Sequence, residues 1–148
     1  METGDPGEKL RLGNPELDGQ HSVQVGLVDA FRAAVERGEK GAEVGDLLWR
    51  LHDFTRSHFL AEHALMRHHG YPVREAHERE HDRLLDQLDR LRKAFLETGD
   101  RAFASVVAES LSLWLSVHIQ TMDRAFVEYL RGTGPTGPDG GAPAGGAG

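Results

Sequence analysis

Apolar residues recur every three or four positions along most of the chain, which is the spacing of one face of an α-helix. Four such stretches, separated by glycines, predict helices over residues 18–37, 43–69, 73–97 and 100–131. We expect the four helices to end at Gly38, Gly70, Gly99 and Gly132, and Asp100 to cap the start of the last one. The aromatic residues on these faces are predicted to be core: Phe31, Phe54, Phe95, Phe103 and Phe126.

Long amphipathic helices joined by short connections predict an all-α fold, an up-down-up-down four-helix bundle over residues 17–131. No segment shows the strict alternation of a strand. Residues 1–16 are polar with scattered Gly and Pro, and they are predicted to form an extended N-terminal arm. Residues 132–148 contain eight Gly and three Pro and are predicted to be a flexible, disordered tail.

Composition excludes several classes of partner and site. The net charge is −7 and Lys and Arg are not clustered, so we expect neither nucleic acid nor membrane as a partner. The chain has no cysteine, which excludes disulfides, thiolate zinc sites and iron–sulfur clusters. It also lacks a recognisable signal peptide and an apolar run approaching the roughly 20 residues that span a bilayer. We therefore expect a cytoplasmic protein.

Side chains that bind metals occur at helical spacing in all four predicted helices. Residues four apart share one face of a helix, so His58 with Glu62, and His77 with His81, each present two ligands to one point. In the predicted bundle these residues, together with His21 and His118, lie roughly 6 to 20 Å from one end, at about 1.5 Å per residue. They can therefore meet in one layer.

A further carboxylate, Asp123, follows His118 by five residues and is turned about 140° from it on an ideal helix. Spacing alone would not select Asp123, which must reach the cluster from the flank. Five imidazoles and two carboxylates are too many for one tetrahedral zinc. They favour two ions of a borderline metal such as iron, with the carboxylates bridging and dioxygen as the expected ligand.

The chain resembles a hemerythrin, specifically a single-domain bacterial one. The resemblance is carried by GNPELDGQH (13–21), HFLAEH (58–63), GYP followed by H-x-x-x-H (70–81), and WLSVHIQTMD (114–123). It implies a non-haem di-iron centre that binds dioxygen reversibly. By position, His77, His81 and His118 would bind one iron, and His21 and His58 the other. Glu62 and Asp123 would bridge both ions together with an oxo or hydroxo group.

The resemblance also implies an open position on the second iron, where dioxygen would bind against a wall of Phe59, Trp114, Leu115 and Ile119. Gln24 stands in this pocket where the family usually has a large aliphatic residue, and we expect it to speed the loss of dioxygen binding. His63 replaces a second Glu that the family often carries. The sequence places His63, like His52, His68 and His69, outside the metal centre.

Two classes of function remain open on the sequence. The first is a binding protein without turnover, for dioxygen storage, delivery or sensing. The alternative is a di-iron oxidoreductase, peroxidase- or nitric-oxide-related, that uses the same site. Ferritin-like enzymes need two Glu-x-x-His motifs, and only Glu78 to His81 fits one here. Because a sensor is usually fused to an output domain, we expect storage or delivery to an unidentified dioxygen-consuming enzyme or reductase.

Overall fold

The computed structural model describes residues 8–39 and 41–132, and these residues form a four-helix bundle without strands. The first three helices are α1, Pro15–Glu36, α2, Gly41–His68, and α3, Arg74–Thr98. The fourth, Arg101–Leu130, consists of α4, Arg101–His118, a π-helical turn, Ile119–Asp123, and α5, Arg124–Leu130. Since α1 packs against α2 and α4, and α2 against α3, the predicted all-α bundle is confirmed.

Glycines end all four helices where the sequence predicted. Gly38, Gly70, Gly99 and Gly132 have positive φ angles between 61° and 74°, a conformation in which a side chain would be strained. The Gly99 N–H donates to the carbonyl of Phe95 at 2.7 Å, which closes α3. Asp100 then caps α4 by accepting from the N–H of Phe103 at 3.2 Å.

The N-terminal segment is more ordered than predicted. Helix α1 begins at Pro15, capped by Asn14, which accepts a hydrogen bond from the N–H of Leu17. Before it, Glu8–Leu10 form a 3-10 turn, and Leu12 is buried in the core. Asp18 holds this segment by accepting from the N–H groups of Leu12 and Gly13. The extended conformation predicted for residues 1–16 is therefore wrong for residues 8–10 and for residues 15–16, while residues 1–7 and 133–148 lie outside the described residues.

The core has two parts, one at each end of the bundle. One part surrounds Phe31, Phe95 and Ala108, and the other surrounds Leu17, Phe59 and Phe126. The prediction of a core position was wrong for Phe103, which is 41% exposed because it lies on the outer face of α4. Phe54 is only half-buried.

The fourth helix is more apolar than expected from the prediction that no segment could span a membrane. Among the described residues, Arg101–Leu130 is the one helix long and apolar enough to pass for a membrane span, with a mean hydropathy of 1.4 in its most apolar window. Only 33% of that window is buried in the bundle, and the helix carries two members of the polar cluster described next. Length and composition alone are weak evidence for a membrane.

Candidate metal centre

All seven sequence-predicted ligands lie together inside the bundle, in two overlapping groups. In each group the candidate ligand atoms lie within 4.8 Å of one another, and every residue is buried. Both groups contain Glu62 and Asp123. The larger group adds three histidines from α3 and α4, and the smaller adds one from α1 and one from α2: His77, His81 and His118; His21 and His58.

The three histidines of the larger group turn the same ring nitrogen to one point. The Nε2 atom of His118 lies 3.3 Å from that of His77 and 2.9 Å from that of His81. Glu62 Oε1 lies 2.9 Å from His77 Nε2, and Asp123 Oδ1 is equally close to it. Ligands on one ion, with bonds of about 2.1 Å to imidazole, are separated by about 3 Å. These atoms therefore have the spacing of a coordination sphere.

The two histidines of the smaller group lie on the other side of the carboxylates. His21 Nε2 is 2.9 Å from Asp123 Oδ2, the oxygen that faces away from His77. His58 Nε2 is 3.4 Å from Glu62 Oε2, likewise the second oxygen of its carboxylate. Each carboxylate thus directs one oxygen to each group, which is the arrangement of a bridging ligand.

A π-helical turn explains how Asp123 joins the cluster. In the turn Ile119–Asp123 the N–H of Arg124 donates to the carbonyl of Ile119, five residues earlier, instead of four. This brings residues five apart onto one face, and Asp123 Oδ1 comes within 3.1 Å of His118 Nε2. The expectation that Asp123 reaches in from the flank of an ideal helix was wrong, because the helix is not ideal at this point.

Burial and contacts within the cluster lower the pKa of His58 and raise the pKa values of Glu62 and His77. Burial, strengthened by the neighbouring His21, lowers the pKa of His58 to about 4. Burial also raises the pKa of Glu62 to about 8, and the charge of Asp123 adds to this effect. For His77 burial alone would lower the pKa, but hydrogen bonds to Asp123 and Glu62 outweigh it and raise it to about 9.

The unpaired atoms of the cluster fit bound cations. Several buried atoms of the cluster make no well-directed hydrogen bond in the described part of the chain, even where another candidate ligand atom lies 2.9 Å away. They are the Nε2 atoms of His21 and His58, both carboxylate oxygens of Glu62 and one of Asp123. Buried polar atoms normally have partners, and leaving them unpaired is costly. Nitrogen and carboxylate lone pairs that converge in this way would be satisfied by bound metal cations.

Gln20 and His63 orient two of the candidate ligand rings, and neither was predicted to belong to the site. The Nδ1 atom of His58 lies 2.5 Å from Gln20 Oε1, and that of His81 lies 2.7 Å from His63 Nε2. The ring of His63 also stacks on that of His81, with centroids 4.9 Å apart. Such contacts fix which ring nitrogen remains free to bind a metal. The prediction that His63 has no part in the site missed a contact across two helices, which spacing along one helix does not reveal.

Two of the predicted pocket residues stack on histidines of the larger group. Phe59 stacks on His81 with centroids 3.6 Å apart, and Trp114 stacks on His118 at 4.6 Å. Ile119 is fully buried, and Leu115 nearly so. Gln24 is buried beside Thr55, one turn along α1 from His21. Of the remaining histidines, His68 and His69 are exposed at the end of α2, as expected.

Comparison with known proteins agrees with this geometry. Residues 12–130 match the hemerythrin family, described as the hemerythrin HHE cation binding domain. The chain is 28% identical to the bacteriohemerythrin of Pseudomonas paraeruginosa over 124 residues, which cover 84% of this chain and 79% of that protein. It is 29% identical to the bacteriohemerythrin of Ralstonia nicotianae over 128 residues, covering 86% and 89%. The bacteriohemerythrin of Methylococcus capsulatus is 28% identical over 109 residues, covering 74% and 82%.

Proposed function

The chain belongs to the hemerythrin family, and we propose that it binds dioxygen reversibly at a centre of two non-haem iron ions. The observation that carries this proposal is the sharing of Glu62 and Asp123 between two groups of buried ligands. A single metal ion would not explain why Glu62 and Asp123 each direct one oxygen to the larger group of ligands and the other oxygen to the smaller group. Membership of this family also favours a binding protein over an enzyme.

The seven residues divide between two ions in this proposal. His77, His81 and His118 hold the first ion, and His21 and His58 hold the second, with Glu62 and Asp123 bridging. Imidazole and carboxylate are both suitable ligands for iron, and the two carboxylates offset part of the buried positive charge. The iron pair supplies the electrons that dioxygen accepts when it binds. With two histidines against three, the second ion has fewer protein ligands and keeps room for dioxygen.

The surroundings of the cluster favour binding without further reaction. Phe59, Leu115 and Ile119 are at most 5% exposed and keep water from the ligands. A dry pocket limits the access of protons and solvent to a bound small molecule. Five imidazoles and only two carboxylates distinguish the cluster from the carboxylate-rich centres of ferritin-like proteins.

The test is a visible spectrum of the iron-loaded, reduced protein, recorded without oxygen, then with oxygen, and then after argon purging. We expect two iron ions per chain and a charge-transfer band that appears with oxygen and disappears on purging. The variant His58→Ala should lose this band, while His68→Ala, which changes an exposed histidine of the same helix, should keep it. An irreversible change of spectrum in the wild type would overturn the proposal and favour redox turnover.

A further inference from the structure

A hydrogen-bonded polar pair lies inside the apolar core next to the metal centre. The Nε2 atom of Gln24 on α1 donates to Thr55 Oγ1 on α2 at 3.1 Å, and the two side chains are 2% and 0% exposed. Gln24 follows His21 by three residues, and Thr55 precedes His58 by three. Because α1 and α2 are antiparallel, both residues are displaced from the cluster in the same direction, by about 4.5 Å along the helices.

The pair borders a small cavity. Its volume is about 10 Å³, and its other walls are Trp114 and leucine and valine side chains from all four helices. A cavity of about this size holds one water molecule when polar groups line it, whereas an entirely apolar one stays dry. Nearly all of its exposed wall is apolar; Gln24 and Thr55 are the two polar side chains, apart from the Trp114 indole, among the residues that border it.

One polar atom of the pair has no partner. Gln24 Oε1 is buried and makes no hydrogen bond with any residue that the structure describes. Turning the amide over would exchange the atom that meets Thr55 but would leave the other amide atom unpaired. A buried amide that borders a water-sized cavity therefore lacks one hydrogen bond that a single water would supply.

We propose that Gln24 and Thr55 hold one water molecule in this cavity, one helical turn below the His21–His58 pair. The water donates to the free amide oxygen of Gln24 and accepts from the hydroxyl of Thr55. The site itself does not depend on dioxygen binding. Its consequence for dioxygen rests on the proposed function: the water would be a polar group and a source of a proton in an otherwise apolar pocket, on the side of the second ion.

The competing occupant is an apolar gas, because most of the wall is apolar. High-resolution crystal structures of the metal-loaded full chain, with and without xenon pressure, distinguish the two. We expect a water within hydrogen-bond distance of Gln24 in the wild type and no xenon. In the double variant Gln24→Met/Thr55→Val, which keeps the side-chain sizes similar, the water should be lost and xenon should enter. Gln87→Met, the same change at an exposed position of α3, should keep the water.

A wild-type cavity that is empty or takes up xenon would overturn the proposal, whatever the variants do. Thermal unfolding tests the polar pair itself and does not require crystals. Because each single substitution breaks the Gln24–Thr55 hydrogen bond and leaves one buried polar group unpaired, Thr55→Val should lower the unfolding temperature more in the wild type than in Gln24→Met. Equal shifts in both backgrounds would contradict the polar pair on which the water site depends. Neither measurement uses dioxygen, so failure of the water site is distinguishable from failure of dioxygen binding.

Discussion

His63 offers a test of how a residue outside the seven ligands supports the metal centre. Its Nε2 atom meets His81 Nδ1 at 2.7 Å. Loss of such a partner typically lowers metal affinity by about 10- to 100-fold, because the ligand ring loses its orientation. We expect this loss for His63→Leu and a smaller one for His63→Gln, which keeps an acceptor. Competitive iron titration measures the affinity, and the control is His68→Leu on the exposed end of α2. Unchanged affinity in His63→Leu would show that the contact has no such role.

Gln24 tests the polarity of the proposed dioxygen pocket. It is buried one turn from His21, where its amide can hydrogen-bond water or a bound ligand. We predict that Gln24→Leu slows the irreversible loss of dioxygen binding by about fivefold, the effect of one hydrogen bond of about 1 kcal/mol. The decay of the oxygen-dependent absorption band in air measures this rate. An unaltered rate would mean that Gln24 does not influence the bound ligand.

At the scale of elements, the π-helical turn Ile119–Asp123 is the feature that completes the cluster. A π-helical turn contains one residue more than the α-helical turn it replaces. Deletion of the exposed Thr121 should therefore restore a regular helix and leave His118 and Asp123 four residues apart, again on one face. We expect this deletion variant to retain its metal content and unfolding temperature.

The control is deletion of Leu113, an exposed residue in the regular part of α4. This deletion turns the preceding part of the helix by about 100° relative to His118, so it should lower both metal content and unfolding temperature. Metal analysis and thermal unfolding of the two variants provide the comparison. Equal damage from both deletions would contradict the view that the π-helical turn accommodates a single extra residue.

The helices themselves could be predicted almost completely from local sequence signals. Glycine ends each of them because a positive φ is needed there, and this requirement does not depend on tertiary contacts. The π-helical turn could not be predicted from the sequence. Whether a backbone N–H bonds the carbonyl four or five residues earlier depends on how the helix packs against its neighbours. Packing also explains why Phe103 was wrongly placed in the core. Helical spacing shows which residues share the apolar face of a helix, but not how much of that face the neighbouring helices cover.

At the scale of the whole molecule, the convergence of the five histidines and Glu62 was predictable, because bundle topology and depth along each helix are sufficient to bring them together. Asp123 is the exception, because the π-helical turn determines its direction. The contacts of His63 and Gln20 were not predictable either, since each depends on side-chain directions on two different helices. Sequence spacing therefore selects ligands that share a helix more reliably than the residues that orient them.

Metal loading should release protons from the bundle. Contact with Asp123 and Glu62 raises the pKa of His77, and burial raises that of Glu62, so at pH 7 the pair retains protons that a bound metal must displace. We predict that ferrous iron releases protons from the protein at pH 7, and that the release is smaller at pH 10, where the pair has already lost its protons before the metal binds. A pH-indicator dye in weakly buffered, oxygen-free solution measures this release. A release that does not vary between pH 7 and pH 10 would show that the raised pKa values of His77 and Glu62 do not govern metal binding.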